Sequence, residues 1–140
     1  MTDKNLKDRL GLKELVDKIS FLSDQKDYEN QVKLFIEDAI SETSVNGNLV
    51  LNVKGRKAMQ EAFSNFNKDL KSSYHFNGQQ LLKIDGDHAK GICYSLITLI
   101  EVQAEKSVKT EIRAIYHDDY IFQNEQWLVS KRVGHLEKEN

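Results

Sequence analysis

Apolar residues recur with a helical period in the first part of the chain and with a period of two in the second. Leu12, Leu15, Val16, Ile19 and Leu22 follow i, i+3, i+4, i+7, i+10, the one-sided stripe of an amphipathic helix, with Asp8 as its candidate N-cap. Ser23–Asp27 breaks the stripe. Asp27 is placed to cap a second helix, with Asn30 and Gln31 in its first turn and Tyr28, Val32, Phe35 and Ala39 as its buried side. The two helices form a hairpin with Asp24 at its corner. Ile40–Val45 and Leu49–Lys54 then flank Asn46-Gly47, the strongest short-range signal for a β-hairpin. After Gly55, Met59, Phe63, Phe66 and Leu70 mark the apolar face of a third helix, which Lys71–Ser73 closes.

From Tyr74 the pattern is that of an antiparallel sheet. Tyr74–Ile84 is the first long strand, and Asp85-Gly86-Asp87-His88 turns it. Ala89–Val102 follows, rich in β-branched and aromatic residues. Both of its faces, Ile92/Tyr94/Leu96/Thr98/Ile100 and Cys93/Ser95/Ile97/Leu99, are fairly apolar, so both are expected to be covered. Val108–Gln123 and Gln126–Val133 complete the sheet around the turns Ala104–Ser107 and Asn124-Glu125. Strands about twice the usual ~5–6 residues twist and coil, and here they are expected to wrap around something. The order α-α-ββ-α-ββββ is an α+β fold with about six strands.

A chain of 140 residues is expected to be a single domain, residues 1–140, with frayed ends at about 1–7 and 136–140. A formal charge of −2, with both signs interspersed, gives no electrostatic case for nucleic acid. No apolar run approaches the ~20 residues of a membrane span, and the first residues carry no apolar signal core, so a cytoplasmic location is expected. The single cysteine, Cys93, excludes an internal disulfide and a multi-cysteine zinc site, and reads as a buried small hydrophobe.

Few residues stand out for chemistry. His117-Asp118-Asp119 has a superficial look of a metal site, but no third ligand sits at a suitable spacing. A solvated strand end is the reading adopted, with no metal and no cofactor. Arg113 interrupts the apolar stretch Ile112–Ile115 and either snorkels outward or points into a polar spot of a cavity. The Tyr94, Tyr116 and Tyr120 hydroxyls are candidates to reach such a cavity, although aromatics in sheets are more often packing. Met59, Phe63 and Phe66 read as core rather than a ligand box, and His88 and His135 as surface.

With Leu22-Ser-Asp-Gln-Lys-Asp-Tyr28, Tyr74-His75-Phe76, Ile84-Asp-Gly-Asp87 and the series Tyr116, Tyr120, Trp127, the chain resembles the SnoaL-like branch of the NTF2-like superfamily over roughly Leu10 to Val133. The resemblance implies an NTF2-like cone, three N-terminal helices on a strongly curved, mostly antiparallel sheet around an apolar pocket. It also implies a homodimer formed through the outer sheet face. Active relatives include scytalone dehydratase, hexachlorocyclohexane dehydrochlorinase, polyketide cyclases and bile-acid dehydratases. Several place an Asp at the helical corner and a His early in the long sheet, positions that match Asp24 and His75. A carboxylate that accepts from one ring nitrogen fixes the tautomer and raises the basicity of the other, which then removes a proton. The resemblance to scytalone dehydratase is partial: its second His would fall at Arg113 and its acid tyrosines near Ser23 and Thr43. Arg113 is therefore a candidate for oxyanion or anion stabilisation, and Arg132, after the last-strand Trp127, a candidate to share that role. Tyr94, Tyr116 and Arg132 are taken as ligand-binding positions. Two functions follow as expectations. One is a cofactor-independent lyase or isomerase acting on a small apolar molecule. The other is a non-catalytic ligand-binding or dimerisation module with the same cone.

Overall fold

The computed structural model describes residues 2–139. Helix α1, Asp3–Asp24, is one turn and more longer than its stripe suggests. Thr2, not Asp8, caps it, accepting from Asn5 N at 3.0 Å. Asp8 is instead buried and accepts from Trp127 Nε1 at 3.2 Å and Lys4 Nζ at 2.7 Å, tying the helix to the far end of the chain. Lys26 takes a left-handed φ of 57° at the corner, and Asp27 caps the four-residue helix α2, Tyr28–Gln31. The expected second helix ends there. Val32–Leu34 is a single 3₁₀ turn, and Phe35–Val45 is strand β1.

The hairpin partner β2 is Asn48–Lys54, across a turn with Asn46 and Gly47 both at positive φ. Gly55, at φ 93°, turns the chain into α3, Arg56–Phe66, and donates its N–H to Ala39 O at 2.8 Å. Helix α3 stops before Leu70 because Asn67 caps Phe63 O with both its backbone and its side chain. Leu70 opens β3, Leu70–Asp85, followed by β4, His88–Gln103, β5, Lys106–Gln123, and β6, Gln126–Lys138. Residues 136–138, expected as part of a frayed tail, thus belong to strand β6. Leu136 is buried, and Asn46 holds Lys138 through two 3.0 Å hydrogen bonds to its N and O.

The strand order is β2-β1-β6-β5-β4-β3. Every pairing is antiparallel except β1 with β6, which is parallel. Along β4 and β5 burial alternates residue by residue. One face carries Ala89, Cys93, Ile97, Ile112, Ala114 and Tyr120 against the helices, and the other carries Ile92, Tyr94, Leu96, Arg113 and Ile115 outward. The main core joins the α1 stripe to Phe35, Ala39, Met59, Trp127 and Val129, while a smaller cluster of Ile97, Ile112, Ala114 and Leu136 lines the other end. Two inward tyrosines fit because glycines face them. A Cβ on Gly91 would lie 2.8 Å from the Tyr120 ring, and one on Gly134 2.9 Å from the Tyr116 ring.

Candidate functional site

Between the helices and the inward sheet face lies a cavity of about 130 Å³. Its apolar wall includes Phe35, Phe63, Ile97 and Ile112, with half-exposed Phe66 also lining it. Phe63 and Phe66, expected as core, therefore border open space. Its polar atoms come from Ser20, Ser23, Gln31, Ser41, His75, Tyr116 and Arg132, among others.

Asp24 is the last residue of α1, and His75 lies on β3, where the alternation that sends Tyr74 and Phe76 outward sends His75 inward. The Lys26 ammonium, bonded to Leu70 O, fastens the helical corner to the start of that strand. His75 Nδ1 lies 2.5 Å from Asp24 Oδ1, His75 N donates to Asp24 Oδ2 at 2.9 Å, and Ser73 Oγ donates to Oδ1 at 2.9 Å. Burial pushes the Asp24 carboxyl up, but the hydrogen bonds and charge of His75 outweigh it, and its pKa is held below the usual carboxylate value. Since the carboxylate accepts, Nδ1 carries a proton, and in the neutral ring Nε2 is the acceptor. His75 lines the cavity, and Asp24 stands behind it.

Arg132 also lines the cavity and makes a bidentate pair with Asp118, Nε to Oδ1 at 2.8 Å and Nη2 to Oδ2 at 2.9 Å. Its guanidinium lies 4.2 Å from the centre of the Tyr116 ring. Tyr120 donates its hydroxyl to Asp118 Oδ2 at 2.9 Å, and Cys93 Sγ is 3.7 Å from that hydroxyl. Burial alone would lower the Arg132 pKa, but the Asp118 charge overrides it and the guanidinium stays protonated. Burial raises the Tyr120 hydroxyl, and Asp118 raises it further; burial likewise raises Tyr116 and Cys93, so all three stay neutral.

Four of the residues singled out by sequence thus gather here: Asp24, His75, Tyr116 and Arg132. Tyr120 does not line the cavity, since its hydroxyl is spent on Asp118, and two others lie on the opposite face of the sheet. Arg113 alternates with the inward Ile112 and Ala114, so it points outward and meets Glu137 at 3.1 Å with its side chain 71% exposed. Tyr94 alternates with inward Cys93 and Ser95 and is likewise on the outer face. Neither reaches the cavity. The reading of residues 117–119 as a solvated strand end is also corrected at its centre. Asp118 is 2% exposed, in phase with Tyr116 and Tyr120 and directly opposite Arg132 in the register of β5 and β6. That phase, and the need of a buried Arg for a carboxylate, was the signal for it. His117 lies outside, edge-on to His135 with ring centres 5.6 Å apart.

Solved structures of similar shape carry low sequence identity. One is a candidate scytalone dehydratase from Novosphingobium aromaticivorans, 18% identical, with a TM-score of 0.84 over 100% of this chain and 89% of that one. Another is hexachlorocyclohexane dehydrochlorinase LinA-type3 from Novosphingobium barchaimii, 20% identical, with a TM-score of 0.77 over 94% and 88%. A protein of unknown function from Mycobacterium tuberculosis is 24% identical, with a TM-score of 0.79 over 99% and 75%. At these identities the likeness establishes the cone fold. No curated protein matches the sequence. The SnoaL-like domain model matches residues 4–133, nearly the whole cone with its helical corner and its long sheet, and the chain belongs to that family.

Proposed function

We propose that the cavity binds a small, mostly apolar molecule and that the Asp24–His75 pair makes the protein a cofactor-independent lyase or isomerase. The observation that carries this reading is the 2.5 Å contact between His75 Nδ1 and Asp24 at the wall of a cavity. In an elimination, His75 Nε2 takes a proton from carbon, the C–H electron pair becomes the new double bond, and the leaving group departs with its own pair. Arg132, permanently charged and stacked on Tyr116, lies on the same cavity to meet the negative charge on the departing or enolised oxygen. In an isomerisation, the same base returns the proton to another carbon. Loss of water and loss of HCl are both eliminations, so the names of the candidate dehydratase and the dehydrochlorinase among the similar structures support the reading by analogy.

The test is exchange of carbon-bound hydrogen with deuterated water, across a panel of small cyclic ketones and β-hydroxy ketones, followed by NMR. Exchange present in the wild type and lost in both His75→Ala and Asp24→Asn is the expected result. Exchange that survives in His75→Ala would overturn the assignment of the base.

A second reading, a non-catalytic binding module, has one observation in its favour. Ser23 and Thr43, where scytalone dehydratase-like relatives would carry acid tyrosines, both line the cavity, so those phenols are missing from it. Under either reading a homodimer through the outer sheet face is part of the proposal. Tyr74, Phe76, Ile92, Tyr94, Leu96 and Ile115 are exposed on strands β3–β5, on the face the helices leave open. Sedimentation at micromolar concentration, with Ile115→Glu as the disrupting variant, tests it; a monomeric wild type would sink it.

A further inference from the structure

We infer that Gln31 fixes the ligand class of this cavity, selecting a molecule that carries an O–H or N–H donor beside its apolar body. The inference rests on the ligand-pocket reading above and goes on to the chemistry of the ligand. Gln31 ends α2, is 6% exposed, and lines the cavity together with His75 and Arg132. Its Nε2 donates to Ile19 O at 3.3 Å. A carbonyl oxygen can only accept, so the amide cannot be turned round without setting two oxygens against each other. The orientation is thereby fixed, and the group left over is an acceptor. Gln31 Oε1 is buried and has no hydrogen-bond partner among the described residues.

A buried acceptor without a partner costs about 1–3 kcal/mol. A ligand that brings a donor to that oxygen removes the cost, and one that brings none leaves it in place. His75 Nε2 is a second acceptor, already committed to the reacting proton in the proposed chemistry, and Arg132 supplies donors. The cavity thus offers two kinds of polar partner. Arg132 donors suit an anionic or carbonyl oxygen, and Gln31 Oε1 requires a hydroxyl or an N–H. A donor-free hydrocarbon or halocarbon of the same size satisfies neither. An alcohol, phenol or secondary amide satisfies Gln31.

Phenol and toluene are close in shape and differ at one donor, and both suit a cavity near the ~150 Å³ that admits benzene. Their dissociation constants are to be measured by NMR titration of the wild type and of Gln31→Leu. The expected result is a phenol-to-toluene affinity ratio that falls about five- to tenfold in the variant, the equivalent of one hydrogen bond. The ¹³Cδ resonance of Gln31 in the wild type gives an independent readout that needs no substitution: it moves with phenol and not with toluene. An unchanged ratio in Gln31→Leu, or a Cδ signal that phenol leaves in place, would overturn the inference while the pocket stands. If neither probe perturbs the cavity resonances, the pocket reading falls and this inference with it.

Discussion

Replacing Asp118 with alanine is the sharpest test of how the cavity wall is held. The carboxylate is fully buried, and the Arg132 side chain is 10% exposed. The substitution removes both oxygens of the bidentate pair and the acceptor of the Tyr120 hydroxyl. Breaking a buried pair from one side costs about 3–5 kcal/mol, because the charge left behind is neither hydrated nor neutralised. Arg132 borders a cavity that water can enter, so the lower end, about 3 kcal/mol, applies. Tyr120→Phe alone should cost about 1 kcal/mol, the value of one neutral-to-charged hydrogen bond less what the apolar ring keeps. Urea unfolding followed by Trp127, the only tryptophan and a buried one, is the assay. With a slope of about 2 kcal/mol/M, the midpoint should fall by about 1.5 M. The single variants Asp118→Ala and Arg132→Ala and their double form a cycle, and the double should be far less damaged than the sum, with a coupling of at least about 2 kcal/mol. A single-variant loss below about 1 kcal/mol, or additive losses, would refute the claim that this pair is buried and mutually dependent.

Other expectations follow from named contacts. Asp24 has a folded pKa below its unfolded one, so its contribution to stability is present above about pH 4 and is lost as pH falls through the folded value; Asp24→Asn should flatten the acid side of the stability profile, measured by urea unfolding between about pH 2 and 5. Gly134→Ala should cost about 1–3 kcal/mol in urea unfolding, because a Cβ there meets the Tyr116 ring at 2.9 Å, and Tyr116→Leu in the same chain should recover part of the loss. Ala104 and Glu105 take φ of 50° and 64° in the β4–β5 turn, so replacing them with Asn-Gly should raise the melting temperature; no change would show that the turn is not strained.

The sheet was legible because its signals are redundant: Asn46-Gly47, Asp85-Gly86 and Asn124-Glu125 mark turns, and each strand alternates. The second helix misled because Phe35 and Ala39 are four residues apart. That spacing shares a face in a helix and equally in a strand, so the pattern foretold burial, 1% and 0% exposed, without foretelling conformation. Pairing with β6 decided it, and nothing local to residues 35–39 announces a partner about ninety residues away. The same limit applies to the site. Asp24 and His75 could be placed through the family resemblance. Arg113 was left open between an outward and a cavity position, although the alternation of Ile112 and Ala114 already argued that it points outward. Asp118 was hidden because two neighbours of similar polarity, His117 and Asp119, do face solvent. Gln31 was unremarkable in sequence, since an orphaned acceptor is a property of its surroundings.

The parallel pairing of β1 with β6 also governs the order in which this molecule can be assembled. β6 is the last of the six strands in sequence and lies between β1 and β5, so it joins the β1–β2 hairpin to the other three strands. On a ribosome, β3, β4 and β5 can zip into a meander as they emerge, but β1 waits with one edge unpaired until residues near 130 have left the exit tunnel. Arg132, which bonds Asp118 across the β5–β6 seam and sits opposite Ser41 in the register of β1, is therefore at the point where the two halves meet. The cavity closes only in that final step, and nascent chains that stop short of it expose the β1 edge to other nascent chains.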